Sequence, residues 1–148
     1  MELLTPTPES AAELASLERE IFSDPWSEEA LLSFLLQPHA RAICLHREKK
    51  PIGYALFTCL AEEGELLRIA VSSEERRSGL GRSLLQKVLD LWQQEGVIQG
   101  FLEVRASNEA ARNLYETAGF RLLGTRKRYY SHPTEDACLY SLEMRNNG

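Results

Sequence analysis

Residues 66–85 read "LLRIAVSSEERRSGLGRSLL": an apolar run, a charged turn, two glycines one residue apart, and the start of an amphipathic pattern. "LLRIAV" has the composition of a strand. Leu80, Leu84, Leu85, Val88, Leu89 and Trp92 fall on one stripe, which predicts a helix, and Gly96 is placed to stop it. A glycine turn that opens a helix is suited to a phosphate. Glycines let the backbone approach the ligand, and successive N–H groups at the helix start point at the anion. Arg76, Arg77 and Arg82 add positive charge.

Three phosphate loops compete for this stretch. The Walker pattern GxxxxGK[ST] is absent. The dinucleotide pattern GxGxxG is half present: Gly79 and Gly81 fit, but the third position is Leu84. Glu103 stands roughly where a ribose-binding acid would, about 20 residues on. However, "SSEERRS" separates the glycines from their strand, too long and charged for the tight first turn of that unit. The third pattern is [QR]xxGxG, met by Arg76, Arg77, Ser78, Gly79, Leu80 and Gly81, which would seat a pyrophosphate. A plain surface turn capping the helix fits these six residues about equally well.

Toward the N-terminus, Ser10 and Glu13 form a capping box ahead of Leu14, Leu17 and Ile21. "SDPWS" interrupts that helix, and Ser27 caps a second one with Glu28 and Glu29 in its first turn. Leu31, Leu32, Leu35 and Leu36 are its expected apolar face. "ARAICLHR" and "GYALFTCL" read as antiparallel strands around the turn "REKKPIG", and "AEEGE" turns into the third strand. Beyond the central helix come strand "GFLEVRA" and a short helix "SNEAARNLYETAG", which Asn108 caps and Gly119 stops. "FRLLGTRKRYY" and "ACLYSLEM" form a closing hairpin. The order predicts an α/β chain with a mixed, mostly antiparallel sheet flanked by helices on both faces.

The chain has 148 residues, consistent with one domain over 1–148. Its net charge of -5 argues against direct nucleic-acid binding, which normally needs a basic face. An acidic protein suits a cationic substrate better. Cys44, Cys59 and Cys138 are odd in number, widely spaced and without a CxxC, which argues against a disulfide framework or a zinc site. Reduced, mostly buried thiols in a cytoplasmic protein are expected. "MELLTPTPES" lacks the features of a signal peptide, and no apolar run reaches the roughly 18 residues of a membrane span.

In this order, "LLRIAV", the basic loop, "GLGRSLL", "FLEVRASN" and "LYETAGF" resemble the GNAT acetyltransferase superfamily along nearly the whole chain. "DPWS", "EVRASNEAARNLYETAGF" and "RKRYY" ahead of "EDACLYSLEM" narrow the resemblance to the bacterial ribosomal-protein-alanine N-acetyltransferase family. The resemblance implies the GNAT acyltransferase fold and acetyl-CoA as donor. It also implies an N-terminal alanine of small-subunit ribosomal protein eighteen as acceptor. It assigns Ile69, Ala70 and Val71 to the pantetheine arm, with the Val71 N–H on the thioester carbonyl. It puts Arg76 to Gly81 on the pyrophosphate, Asn108 on the cofactor, Glu103 as base and Tyr115 as acid. Ser72-Ser73 replaces a frequent family proline, and Arg76 a frequent glutamine, for which it can substitute on a phosphate.

The residue types suit this chemistry. An α-amine with a pKa of about 7.7–8.0 is partly neutral at pH 7, whereas a lysine near 10.4 is about 2.5 units worse, roughly 3.4 kcal/mol. A modest base therefore suffices for an N-terminal amine, and Glu103 can serve directly or through water provided its environment raises its pKa. Strand alternation puts Phe101, Glu103 and Arg105 on one face, where a solvated Glu103–Arg105 pair is the plainer alternative. Tyr115 lies seven residues, two turns, beyond Asn108, so both can face one site; a core tyrosine is the alternative. No cysteine has an evident companion among His39, His46 and His132, which disfavours a covalent acetyl-cysteine route. Glu62, Glu63 and Glu65 could meet a basic peptide, and Trp26, Tyr129 and Tyr130 could line its groove. An acetyltransferase of a small amine or lysine, and a CoA-binding module without turnover, remain the alternatives.

Overall fold

The computed structural model describes residues 3–75, 78–131 and 133–144. Helices α1 (Pro8–Ile21) and α2 (Glu28–Leu35) come first. Strands β1 (Ala40–Arg47), β2 (Lys50–Leu60) and β3 (Glu63–Val71) follow, then α3 (Leu80–Gln94) and β4 (Gln99–Arg105). Helix α4 (Glu109–Thr117) and the hairpin β5 (Arg121–Tyr130) and β6 (Glu135–Glu143) complete the chain. This is the expected order of elements.

The six strands form one sheet in the order β1-β2-β3-β4-β6-β5. β3 and β4 are parallel neighbours, joined through α3; the remaining pairs are antiparallel. Two cores form, one on each face. One packs α1 and α2 against Ala42, Tyr54, Leu56 and Ala70. The other packs α3 and the α4 residue Tyr115 against Ala55, Leu66, Leu102 and Val104. The all-apolar centre of β2 follows from burial on both faces.

Local chemistry corrects several boundaries. Thr7, not Ser10, caps α1: its Oγ1 accepts from Ser10 N at 3.1 Å, and Pro8 occupies the first helical position, where a missing N–H costs nothing. Ser27 caps α2 as expected, accepting from Ala30 N at 3.1 Å. The inner face of α2 holds Leu31, Phe34 and Leu35, and Leu36 is 62% exposed because the helix has ended. β2 begins at Lys50, since Glu48 and Lys49 both take positive φ and close a two-residue hairpin of the primed type. β3 begins at Glu63, so much of "AEEGE" is strand. Leu91 joins the buried stripe of α3, and Gly96 (φ 84°) and Gly119 (φ 107°) follow their helices as expected.

The parallel pair is short. β3 and β4 match only over Glu63–Leu66 and Gln99–Leu102. Trp92 sets the close approach there. Its ring lies over the facing glycines Gly64 and Gly100, and its Nε1 donates to the Thr58 carbonyl at 2.9 Å. Past Leu66, the β2–β3 register shifts: Leu56 faces Arg68 but Phe57 faces Leu66, leaving Leu67 as an extra residue. Such a bulge bends and twists its strand. Beyond it β3 continues along β2 while β4 continues along β6, so the two strands part. The opening lies between residues 67–71 and 103–105.

The bulge also turns Arg68 toward α1. Arg68 Nε lies 3.4 Å from the Glu18 carboxylate, and its guanidinium sits 3.9 Å above the Phe22 ring. Glu18 is fully buried and accepts from Trp26 N at 2.7 Å and from the Tyr54 hydroxyl. A buried carboxylate needs such a set of partners. The set pins the α1–α2 connection beside the opening.

No helix among the described residues is long and apolar enough to cross a membrane. Cys44 and Cys138 are buried, Cys59 is partly so, and all three are free thiols.

Candidate active site

Glu103 projects from β4 on the face opposite Leu102 and Val104, as alternation requires. It lines a cavity of about 390 Å³ with Thr58, Glu63, Glu65, Phe101 and Arg126. Its ionic neighbour is Arg126, at 3.6 Å from β5. Arg105, the neighbour expected from sequence, turns elsewhere: it donates to the Pro133 and Ser131 carbonyls and covers the Tyr130 ring at 4.4 Å. Glu62 does not line the cavity; its carbonyl accepts from the Ile98 and Gln99 N–H groups.

Tyr129 and Tyr130 are not among the residues that line this cavity, and β5 is irregular where they stand. Its register with β6 shifts between Arg126 and Tyr130, Arg128 takes φ 54°, and Arg128 N donates to Asp136 at 3.0 Å. Hydrogen bonding to Glu103 raises the Tyr129 phenol pKa. Burial, then the Glu103 charge, pushes Tyr130 up to about 12. Partial burial, then Glu103, raises the carboxyl of Glu65. The acids Glu65 and Glu103 thus share one cavity and repel each other, an arrangement a cation relieves. Trp26, by contrast, packs edge-on against Phe34 at 5.9 Å.

Tyr115 lies on the other face of the sheet. It is 7% exposed and packs edge-on against Phe120 at 5.9 Å. Burial first, then Tyr130, pushes its phenol to about 12. No hydrogen bond joins Glu103 to Tyr115; the opening between β3 and β4 separates their faces. Tyr115 thus stands as a core tyrosine.

At the far end of the opening, Gly79 precedes α3 in a left-handed conformation (φ 83°), where a Cβ would be strained. Among the described residues no side chain caps α3, so the first-turn N–H groups keep their capacity for an anion. A Cβ on Gly81 would touch Leu114 Cδ2 at 3.7 Å, an ordinary contact, so nothing among the described residues requires glycine there. Ser78 donates to the Glu75 carbonyl, and Leu80 begins the helix. Arg76 and Arg77 lie outside the described residues. Ile69 and Val71 pack toward the α3 core and Ala70 toward the α1 core, leaving the backbone edge of β3 toward the opening. Asn108 caps α4, its Oδ1 accepting from Ala111 N at 3.1 Å, which leaves its side-chain amide N–H groups for other partners.

Cys44 does have a histidine companion: its Sγ lies 4.0 Å from His46 Nε2. Burial, then Glu13, pushes that thiol to about 12, and it stands on β1 rather than in the cavity. Neither property suits a nucleophile. His132 lies outside the described residues.

Residues 11–120 match the Acetyltransferase (GNAT) family. The chain belongs to the GNAT acetyltransferase family. A GNAT relative from Escherichia coli K12, [ribosomal protein bS18]-alanine N-acetyltransferase, is 37% identical over 132 residues, 86% of this chain and 87% of that one. The crystal structure of the ribosomal-protein-S18-alanine N-acetyltransferase from E. coli superposes with TM-score 0.89 at 31% identity, covering 99% of this chain and 96% of that one. A chain of the NatC complex bound to Gag peptide and CoA gives TM-score 0.82 at 26% identity, covering 98% and 100%. The expected mixed, mostly antiparallel GNAT fold is therefore the one observed.

Proposed function

We propose that this GNAT protein transfers an acetyl group from acetyl-CoA directly to the α-amine of the N-terminal alanine of ribosomal protein bS18. The opening past Leu66 and Leu102, with Glu103 in the cavity beside it, is the observation that carries the reading. The likeness to the E. coli enzyme supports the acceptor, and the likeness to a chain of the NatC complex bound to Gag peptide and CoA supports the donor.

Acetyl-CoA supplies the thioester. Gly79, Leu80 and Gly81 at the start of α3, with Arg76, Arg77 and Ser78, hold the pyrophosphate. Ile69, Ala70 and Val71 offer the free edge of β3 to the pantetheine arm, and Asn108 offers its side-chain amide. The substrate ammonium enters a cavity lined by Glu63, Glu65 and Glu103. Glu103 accepts the proton directly or through water. Arg126 and Tyr129 orient it.

Tyr115 needs a sharper role than proton donor. A phenol held at about 12 against a thiol of about 8.5 makes full transfer about 3.5 units uphill, roughly 5 kcal/mol. Unperturbed, the gap would be about 1.5 units. Burial therefore favours Tyr115 as a hydrogen-bond donor to the developing thiolate, with the proton settling later from solvent.

Replacing Glu103 with Gln tests the base. Turnover, followed as free-thiol release, should fall at least about a hundredfold, the scale of general-base catalysis. Acetyl-CoA affinity by calorimetry should stay within twofold. Unchanged kinetics across the pH range would remove Glu103 from that role.

A further inference from the structure

Away from the cavity, α1 and β1 bring together three potential metal ligands of different chemistry. Cys44 and His46 are two residues apart on β1 and share one face of the strand. Glu13 reaches them from α1. His46 Nε2 lies 3.0 Å from Glu13 Oε2 and 4.0 Å from Cys44 Sγ, and one ligand atom from each residue falls within 4.8 Å of the other two.

From these positions we propose a site for a thiophilic divalent cation, zinc foremost, held by Glu13, Cys44 and His46. Bond lengths of about 2.3 Å to sulfur and about 2.05 Å to nitrogen and oxygen require about 3.5 Å between S and N, and about 3.4 Å between N and O, in a tetrahedron. The present separations differ from these by about half an ångström each way, within the reach of side-chain rotation alone. The mixed S, N and O donor set selects zinc or cobalt over magnesium or calcium. Burial protects the sulfur, at 6% residue exposure, while the His46 and Glu13 side chains are 35% and 40% exposed. The cation thus has an entry path and an open side for a water as fourth ligand. On binding, the thiol proton leaves to solvent and sulfur coordinates as thiolate. No sequence rule marks this set, because its three residues span two elements separated by α2. Its structural effect is to clamp α1 to β1, and α1 carries Glu18, which pins the α1–α2 connection.

Cobalt(II) titration of the whole protein tests the site. The expected result is stoichiometric growth of a thiolate-to-cobalt charge-transfer band with visible bands of tetrahedral intensity, both displaced by zinc. Cys44→Ser should abolish the charge-transfer band. His46→Gln should weaken cobalt binding at least about tenfold. The Cys59→Ala/Cys138→Ala double variant should leave both intact. Zinc should raise the unfolding temperature of the parent and leave that of Cys44→Ser unmoved. Absence of the charge-transfer band, or its persistence in Cys44→Ser, overturns the proposal. So does unchanged affinity in His46→Gln. None of the three ligands lines the acetyl-transfer cavity, so acetylation by the variants is expected at the parent's rate and serves as the check on folding.

Discussion

Gly100→Ala should destabilise this protein far more than a single methyl suggests. A Cβ at Gly100 would sit 2.4 Å from Trp92 Cζ3, 2.8 Å from Cη2 and 3.0 Å from Cε3. Carbon pairs normally rest at about 3.5–4.0 Å, so the ring must retreat by about 1 Å. It has nowhere to go. Trp92 is fully buried, its Nε1 is bonded to the Thr58 carbonyl, and Phe57 meets it edge-on at 6.4 Å. Overpacking of this kind costs about 1–3 kcal/mol, and loosening the indole hydrogen bond adds about 1 kcal/mol. Together they come to about 3 kcal/mol, a fall in unfolding temperature of roughly 6–12 °C for a chain of this size. Thermal and denaturant unfolding by circular dichroism measure it. The same change in a Trp92→Phe background, which removes the outer ring, should cost less than half as much. A penalty below about 0.5 kcal/mol, or an equal penalty in both backgrounds, would refute the claim that Trp92 and the two glycines set the β3–β4 junction.

Gly81→Val should leave stability within about 0.5 kcal/mol, since only an ordinary contact with Leu114 awaits the new Cβ among the described residues. Its dissociation constant for acetyl-CoA should rise at least tenfold by calorimetry, and an unmoved constant would exclude this turn as the pyrophosphate seat. With an N-terminal peptide as acceptor, kcat/KM should climb as the amine loses its proton near pH 7.7–8.0, then stay level through about pH 10. The phenol of Tyr115, raised to about 12, keeps its proton throughout that window. A falling limb centred between pH 9 and 10 would contradict that.

Much of this fold was legible because its signals are local. Strands alternate, α3 carries its stripe at helical spacing, and Ser27, Asn108, Gly96 and Gly119 mark ends through their own backbone chemistry. What escaped was non-local. The Leu67 bulge leaves no trace in composition, yet it opens the sheet. Arg126 and Tyr129 reach Glu103 from a strand more than twenty residues away, by a register that sequence does not display. Glu18 reads as one more polar residue on an amphipathic helix until Arg68, Tyr54 and Trp26 surround it. The glycine turn stated its anion-binding capacity plainly, but Gly64 and Gly100, which bear Trp92, gave no sign of their work. The placement of Glu103 was readable from alternation, whereas Tyr115 on the opposite face required the folded sheet.

The most direct measurement is intact-mass and fragment analysis of a panel of ribosomal proteins and N-terminal peptides after incubation with the enzyme and acetyl-CoA. The proposed function predicts one acetyl group on the α-nitrogen of the N-terminal alanine of bS18, with internal lysines unmodified. Acetylation confined to lysine side chains, or none on bS18 while acetyl-CoA binds, would contradict it.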